Sequence, residues 1–233
     1  GYNDEQARGA RDALAKTIYG NLFDHLVKVV NSTLTSGLDE SNVSTLIGVL
    51  DIFGFESFET NSFEQLCINF CNEKLQFHFN DFIFSLEQEQ YRAEGISVDN
   101  ITFEDNQPTL DLIEKKKDPA GIIPRIDEEI KTPRGTDLTF HSKLVKQFGV
   151  RKMEHPSFSL PSRKKANAER SFIISHYAGP VCYDVDGFLE KSKDTLHADI
   201  SSVIRESSSD LLKQMFTPLE GETPKPTSRR KKK

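Results

Sequence analysis

The chain has 233 residues, of which 36% are hydrophobic, and its formal net charge at pH 7 is −6. This length and composition are enough for one or two domains with a buried core. The acidic balance argues against a general nucleic-acid-binding protein. The sequence shows neither an amino-terminal signal peptide nor an apolar run long enough to span a bilayer, so we expect no direct membrane insertion.

The cysteines are Cys67, Cys71 and Cys182. An odd number without a C-x-x-C pair indicates a reduced cytosolic setting rather than a disulfide framework. Cys67 and Cys71 are one helical turn apart, a spacing compatible with a metal site. Because no second ligand pair occurs, we interpret them as small buried apolar residues.

A helix is predicted from Ala10, since apolar residues recur at helical spacing as far as Val30. After a polar loop, the β-branched run 45–50 has the length of a buried strand and ends at Asp51. Gly54 follows three residues later. In phosphate-cleaving α/β folds, a carboxylate here helps hold magnesium and the glycine lets a backbone N–H approach a phosphate oxygen. By itself, Asp-x-x-Gly is also an ordinary strand-to-turn exit.

A long helix is predicted next. Ser62 and Gln65 form a capping box, with Asn61 and Glu64 as an alternative one residue earlier. No Gly or Pro interrupts the sequence from there to Glu94, and about thirty residues make a rod of roughly 45 Å. The helix carries an apolar stripe of Phe63, Leu66, Cys67, Phe70, Leu75, Phe79, Phe82, Ile83 and Leu86. Such a stripe is also typical of a plain core helix.

Several runs together resemble one family. The sequence from Asp51 to Phe70 resembles switch II and the relay helix of the myosin motor head, and residues 72–76 and 86–91 continue the match. Asp-Ala-Leu-Ala-Lys at 12–16, His-Tyr-Ala-Gly at 176–179 and Gly-Phe-Leu-Glu-Lys at 187–191 are further myosin-like sequences. The resemblance covers nearly the whole chain.

The resemblance implies an α/β fold of the P-loop NTPase type, present here as a mainly helical part of a myosin motor. We expect a core strand leading into switch II and a small β-hairpin. The implied segments are 1–44 (upper-subdomain helix and loop), 45–60 (core strand and switch II), 61–104 (relay helix and relay loop), 105–216 (lower actin-binding subdomain) and 217–233 (basic loop 2).

The resemblance also implies ATP and Mg²⁺ as ligands of the motor. Asp51 would support Mg²⁺ through a bound water, and the Gly54 amide would meet the γ-phosphate. Glu56 would pair with a switch I arginine and help organise the attacking water. Residues that would couple the switch to the helix are Asn72, Phe77 and Phe79.

The expected partner is the actin filament. Residues 121–148 predict two helices, with Thr136 or Asp137 capping the second, and the loop between them would bind actin in the myosin family. The implied contacts are Ile130, Lys131, Thr132 and Pro133, with Arg229, Arg230, Lys231, Lys232 and Lys233 at the basic end. From residue types alone, a solvated helical hairpin is the better interpretation of 121–148. Like-charged runs such as 229–233 usually stay disordered and solvated or serve as nuclear-import signals.

The remaining elements follow in order. Pro108 marks a helix start, residues 151–170 suggest a basic surface loop, and residues 172–177 and 181–185 suggest two strands. His176 has no evident nucleophile or ligand partner in the sequence, so we interpret it as structural. Residues 194–216 have a helical pattern.

The chain begins at Gly1 and contains no Gly-x-x-x-x-Gly-Lys-Ser/Thr phosphate loop. We therefore expect it to be part of a longer motor of the cytoplasmic actin cytoskeleton, with light chains or calmodulin on a neck beyond this sequence. The isolated chain is predicted to bind ATP poorly or not at all, and stoichiometric binding measured by calorimetry would contradict this. The alternatives are a non-motor actin-binding protein derived from a myosin head and a GTPase sharing only Asp-x-x-Gly.

Overall fold

The structure is a computed structural model that describes residues 4–36, 45, 47–96, 105–149, 155–164, 167–193 and 198–217. The chain divides into two units, one formed by residues 1–49 with 193–233 and the other by residues 50–192. The described helices, in chain order, are α1 (Asp4–Leu34), α2 (Phe63–Ala93), α3 (Gln107–Glu114), α4 (Ile122–Lys131), α5 (Asp137–Phe148), α6 (Phe188–Lys191), α7 (Ala198–Arg205) and α8 (Asp210–Phe216). The strands are β1 (Phe158–Ser159), β2 (Ser171–His176) and β3 (Gly179–Asp184).

The first unit contains α1, α7 and α8. α1 begins six residues before the predicted start at Ala10, because the polar residues that precede Ala10 carry no apolar signal but are compatible with a helix. The buried apolar residues described in this unit are Ala13 of α1 and Phe216 of α8. Arg205 Nε donates to the carbonyl oxygen of Phe216 at 2.8 Å, which ties α7 to the end of α8. The helical pattern predicted for 194–216 is confirmed at 198–205 and 210–216, whereas residues 206–209 separate the two helices. Residues 194–197 lie outside the described residues.

The second unit is built around an antiparallel sheet in the order β1-β2-β3. The predicted hairpin is present as β2 and β3, with Phe172 opposite Tyr183 and Ile174 opposite Val181. The prediction that 151–170 is only a surface loop is wrong, since Phe158 pairs with Ile174 in β1. Phe158 is buried in contact with the rings of Phe148 and Phe172. These contacts could not be predicted from a segment whose composition is basic and proline-broken.

Aromatic rings fill the core of this unit. Phe172 stacks on Phe158 at 5.8 Å between ring centroids and meets Phe188 edge-on at 6.1 Å. Phe188 in turn contacts Phe63 of α2 at 5.6 Å. Buried apolar residues of α3, α4 and α5 complete this cluster, namely Leu112, Ile113, Ile122, Ile126, Phe140, Leu144 and Phe148. The first turn of α2 is therefore fixed to the sheet by packing.

The predicted core strand at 45–50 is not formed among the described residues of that run. Residues 47–50 belong to no strand, and the side chains of Ile47 and Val49 are 90% and 94% exposed. A strand requires backbone partners on at least one side, and the described part of the chain provides none for this run. Apolar β-branched composition predicts the tendency to form a strand, whereas neighbouring strands decide whether one forms.

The long helix is confirmed as α2, which has 31 residues. Ser62 N–H donates to Gln65 Oε1 at 3.0 Å, as the capping box predicts. Asn61 instead joins the helix start to β3, because its Nδ2 donates to the carbonyl oxygen of Cys182 at 3.0 Å. The interpretation of Cys67 and Cys71 as buried is wrong, since both are exposed on α2. The apolar stripe of the helix is broader than the surface that the helix buries.

The two predicted helices of 121–148 are confirmed as α4 and α5. Thr136 caps α5, with its hydroxyl accepting from Thr139 N–H at 3.1 Å. Asp137 has a different task, since its carboxylate accepts from the backbone N–H groups of Gly187 and Leu189 at the start of α6. Pro108 lies in the first turn of α3, as predicted.

Candidate functional site

The segment from Asp51 to Glu56, called here the switch segment, is attached to α2 by side chains of that helix. Asn72 Nδ2 donates to the carbonyl oxygen of Phe53 at 3.0 Å. Asn69 holds Glu56 at both backbone groups, accepting from its N–H at 2.8 Å and donating to its carbonyl oxygen at 2.8 Å. These three bonds attach the backbone of the switch segment to the first three turns of α2.

The Glu56 carboxylate is half-buried, and Gln65 Nε2 lies 3.3 Å from its Oε2. The ring of Phe55 packs edge-on against His176 at 5.4 Å and against Tyr177 at 5.9 Å. The switch segment is thus held from two sides, by polar groups of α2 and by aromatic rings at the turn between β2 and β3.

Asp51 and Gly54 are exposed. A Cβ placed on Gly54 would meet no atom within 4 Å, so the backbone on this side is accessible to a ligand. Asp51 offers one hard oxygen ligand, which suits Mg²⁺ held partly by water. No cluster of three potential metal ligands occurs among the described residues, so the chemistry of the donor set fits a shared magnesium site rather than a complete one.

Beneath the switch segment lies a buried polar network that the sequence did not reveal. Glu73 of α2 is fully buried, and its Oε2 lies 2.9 Å from His176 Nδ1. Its Oε1 accepts from Asn106 Nδ2 at 2.7 Å, and Tyr177 N–H donates to Oε2 at 3.2 Å. His176 Nε2 lies 2.8 Å from the hydroxyl of Tyr183. His176 therefore has close polar partners, contrary to what the sequence suggested, and its surroundings agree with a structural role.

Two of these residues carried signals that were available in the sequence. Asn69 and Glu73 follow Leu66 at helical spacing and so lie on the buried face of α2. A polar residue on an apolar helix face needs a partner, because burying an unpaired polar group is costly. The partners themselves, in β2 and β3, are more than a hundred residues away and only the tertiary structure identifies them.

Phe77 and Phe79 lie on α2 beyond the packed turns. Phe77 is half-buried and Phe79 is 59% exposed. Asn72, by contrast, is hydrogen-bonded to Phe53 of the switch segment. The structure thus places the predicted coupling residues at two distances from the switch, with Asn72 adjacent and the two phenylalanines further along the same helix.

Four of the predicted actin-binding residues lie at the end of α4 and in the loop that follows it. Lys131, Thr132 and Pro133 are exposed, and Ile130 packs against the core. Glu129 fixes the loop, because its buried carboxylate accepts from Lys143 Nζ at 2.5 Å and from Thr139. Burial raises the pKa of Glu129, but the bonds from Lys143 and Thr139 outweigh it, so the net pKa is lowered. The predicted contacts at 229–233 lie outside the described residues.

The match to known proteins covers the entire chain. Residues 1–233 match the family described as Myosin head (motor domain). The chain belongs to this family. Myosin heads that are similar include the Myosin-I heavy chain of Dictyostelium discoideum, at 49% identity over 91% of this chain, and the high molecular weight form of myosin-1 of Acanthamoeba castellanii, at 48% over 93%. The unconventional myosin-VI of Bos taurus is 44% identical over 91% of the chain.

This myosin-head chain spans 8%, 13% and 16% of the lengths of those three relatives, respectively. Within the described residues, no helix combines the length and apolar character needed to cross a membrane. Family membership confirms the resemblance found in the sequence and the mainly helical architecture with a small antiparallel sheet.

Proposed function

We propose that this chain is part of an actin-based motor that couples Mg-ATP hydrolysis to movement along actin filaments. The observation that carries the proposal is the direct attachment of the switch segment to α2 through Asn72 and Asn69. A shift of about 1 Å at Phe53 or Glu56 would lengthen these bonds beyond hydrogen-bonding distance unless α2 moved with the switch segment. In a myosin head, that is the link needed between a phosphate sensor and a mechanical element.

Glu56 is the proposed catalytic residue. Its backbone is held by Asn69, and its half-buried carboxylate has Gln65 as a neighbour at 3.3 Å. A carboxylate held in this way can pair with a cationic side chain and orient a water for attack on phosphorus, which is the main task in phosphoryl transfer. The Gly54 N–H is proposed to donate to a γ-phosphate oxygen. A Cβ placed on Gly54 would have no atom within 4 Å, which leaves space for a phosphate to approach the backbone.

Asp51 is the proposed support of Mg²⁺ through water. When bound, magnesium neutralises the charge that develops on the phosphate oxygens. The exposed carboxylate of Asp51 supplies one outer ligand at the beginning of the switch segment. The exposed Ile47, Val49 and Leu50 support the proposal that a sheet in the longer head covers this run.

α2 is the proposed transmission element. Its 31 residues extend about 46 Å at 1.5 Å per residue. The first turns are packed against the sheet, whereas Phe79, Phe82 and Leu86 are 59%, 62% and 45% exposed. Apolar side chains exposed along the far half are suited to contacts with a moving domain, and Phe77 and Phe79 mark where the packed half ends.

The α4–α5 loop and the basic segment 229–233 are the proposed actin contacts. The ion pair between Glu129 and Lys143 fixes the base of the loop. Lys131 at the end of α4 and Thr132 in the loop are exposed. The basic segment would attract an acidic filament surface, and that attraction weakens as salt screens it over about 8 Å. No observation favours a non-motor actin-binding protein.

The test of the proposal uses a complete myosin head that carries this segment. We expect ATP hydrolysis that increases when filamentous actin is added, and filament movement on a surface coated with the head. A hydrolysis rate that does not change when actin is added, or actin binding without any hydrolysis, would contradict the motor function. The second result would favour the non-motor binder.

Gly54→Ala tests the contact between the switch and phosphate. In this chain the added methyl meets no atom within 4 Å, so thermal unfolding of the chain should be unchanged within about 0.5 kcal/mol. In the complete head, the same methyl should prevent the close approach of a phosphate, and the phosphate burst measured by rapid quench should fall at least about tenfold. An unchanged burst would refute the proposed contact. Gly20→Ala, at an exposed glycine of α1 that also meets no atom within 4 Å, is the control and should leave the burst unchanged.

A further inference from the structure

We propose that Asn69 is the positioning residue for Glu56 and that a buried chain of side chains fixes the orientation of Asn69. This chain, called here the orienting chain, consists of Tyr183, His176 and Glu73. The inference rests on the proposed role of Glu56 in hydrolysis. It adds a second connection to the switch segment, one that runs to the sheet and is separate from the bond made by Asn72.

Asn69 is fully buried and contacts Glu56 in a way that only an amide side chain can. Its Oδ1 accepts from the Glu56 N–H and its Nδ2 donates to the Glu56 carbonyl oxygen, both at 2.8 Å. Binding both backbone groups of one residue fixes the two peptide planes on either side of the Glu56 Cα. The direction of the Cα–Cβ bond, and hence of the carboxylate, is set by these planes.

The orientation of Asn69 follows from counting donors and acceptors. If the amide were reversed, its NH₂ group would face the Glu56 N–H, and two donors would meet without an acceptor. In the observed orientation, the second hydrogen of Nδ2 is available to the Tyr183 hydroxyl at 2.8 Å. All three hydrogen bonds of the Asn69 side chain therefore agree with one another.

The same count continues along the orienting chain. Because the Tyr183 oxygen accepts from Asn69, its own proton is directed to His176 Nε2 at 2.8 Å. The imidazole proton then lies on Nδ1 and is donated to Glu73 Oε2 at 2.9 Å. Burial raises the pKa of Tyr183 far above its usual value, although the hydrogen bond from Asn69 acts in the opposite direction. The raised pKa keeps the hydroxyl protonated. Every member of the chain thus has a defined direction of donation.

The orienting chain begins and ends on different elements. Asn69 and Glu73 lie one turn apart on α2, while His176 and Tyr183 are on β2 and β3. These four residues form a ring of polar contacts between α2 and the sheet, and Asn69 of this ring holds the Glu56 backbone. The position of Glu56 is consequently fixed relative to the sheet as well as to the helix. Asn69 therefore does more than fill space in the core.

The experiment measures Glu56 directly and then its consequence. In the 233-residue chain, hydrogen exchange of the Glu56 amide, read by NMR with ¹⁵N-glutamate labelling, should be about tenfold or more faster in Asn69→Ala, as expected for the loss of one net hydrogen bond. Asn80→Ala, the same change on the same helix, should leave this exchange rate unchanged. In the complete head, Asn69→Ala should lower kcat at least about tenfold with KM for ATP unchanged.

Tyr183→Phe is the second variant, because it removes one oxygen while keeping the ring in the core. It should speed Glu56 exchange and lower kcat in the same direction as Asn69→Ala but by less. Tyr177→Phe is its matched control, since the Tyr177 ring contacts Phe55 and the change leaves that ring in place.

The inference is wrong if Glu56 exchange in Asn69→Ala and Tyr183→Phe equals that in their controls, or if kcat is unaffected. If Asn69→Ala does not fold, Tyr183→Phe decides the question alone. A parent head that lacks ATPase activity would refute the proposed function, and the exchange rates would still decide whether Asn69 holds Glu56. A rise in KM without a fall in kcat would assign Asn69 to ATP binding and overturn the positioning role.

Discussion

Glu56→Ala in a complete myosin head that carries this segment is expected to lower the rate of ATP hydrolysis by at least about a hundredfold. The substitution removes the carboxylate that orients the attacking water but leaves the backbone bonds from Asn69 in place. ATP binding should therefore remain close to normal. Rapid-quench measurement of the hydrolysis step, together with fluorescent-nucleotide binding, separates the two effects.

Glu59→Ala is the matched control for this prediction, because Glu59 is an exposed carboxylate three residues further along the chain. It should hydrolyse ATP at the parent rate. Loss of nucleotide binding in Glu56→Ala, with normal turnover of the molecules that still bind, would show that Glu56 acts in binding rather than in hydrolysis.

Glu73→Ala is expected to destabilise the second unit by about 3–5 kcal/mol. The carboxylate is fully buried and accepts hydrogen bonds from His176, Asn106 and the Tyr177 backbone. Removing it takes the acceptor from His176 Nδ1 and from the Tyr177 N–H, while Asn106 Nδ2 keeps the Glu73 backbone carbonyl at 2.9 Å. Donors that lose their acceptor then bear their own desolvation cost. Urea unfolding of the chain, followed by near-ultraviolet circular dichroism of its Phe and Tyr residues, measures the change.

The control for Glu73→Ala is Glu89→Ala, an exposed position on the same helix, which should change stability by less than about 0.5 kcal/mol. Glu73→Gln keeps the shape and one acceptor, so an intermediate loss is expected, and this variant serves if Glu73→Ala does not fold. A loss below about 1 kcal/mol in Glu73→Ala would show that the network contributes little to stability.

Local patterns in the sequence were enough to predict several elements of this chain. α2, its capping box at Ser62 and Gln65, the α4–α5 pair and the β2–β3 hairpin all depend on interactions between residues near one another in sequence. The long run from Asp51 to Phe70 was likewise enough to indicate the myosin family, because it is an unusual sequence with one known setting. The interactions that form these helices, caps and the hairpin join residues that are close together in the sequence, so the local sequence pattern indicates them.

The tertiary structure decided what depends on distant partners. The run 45–50 has the composition of a strand, yet without adjacent strands among the described residues it remains unpaired. β1 exists because Phe158 meets β2, and Cys67 is exposed because α2 packs through a narrower face than its apolar stripe suggests. Asn69 and Glu73 matter because residues more than a hundred positions away complete their hydrogen bonds. Hydrogen bonds and packing across such separations have no local sequence pattern, so only the folded chain reveals them.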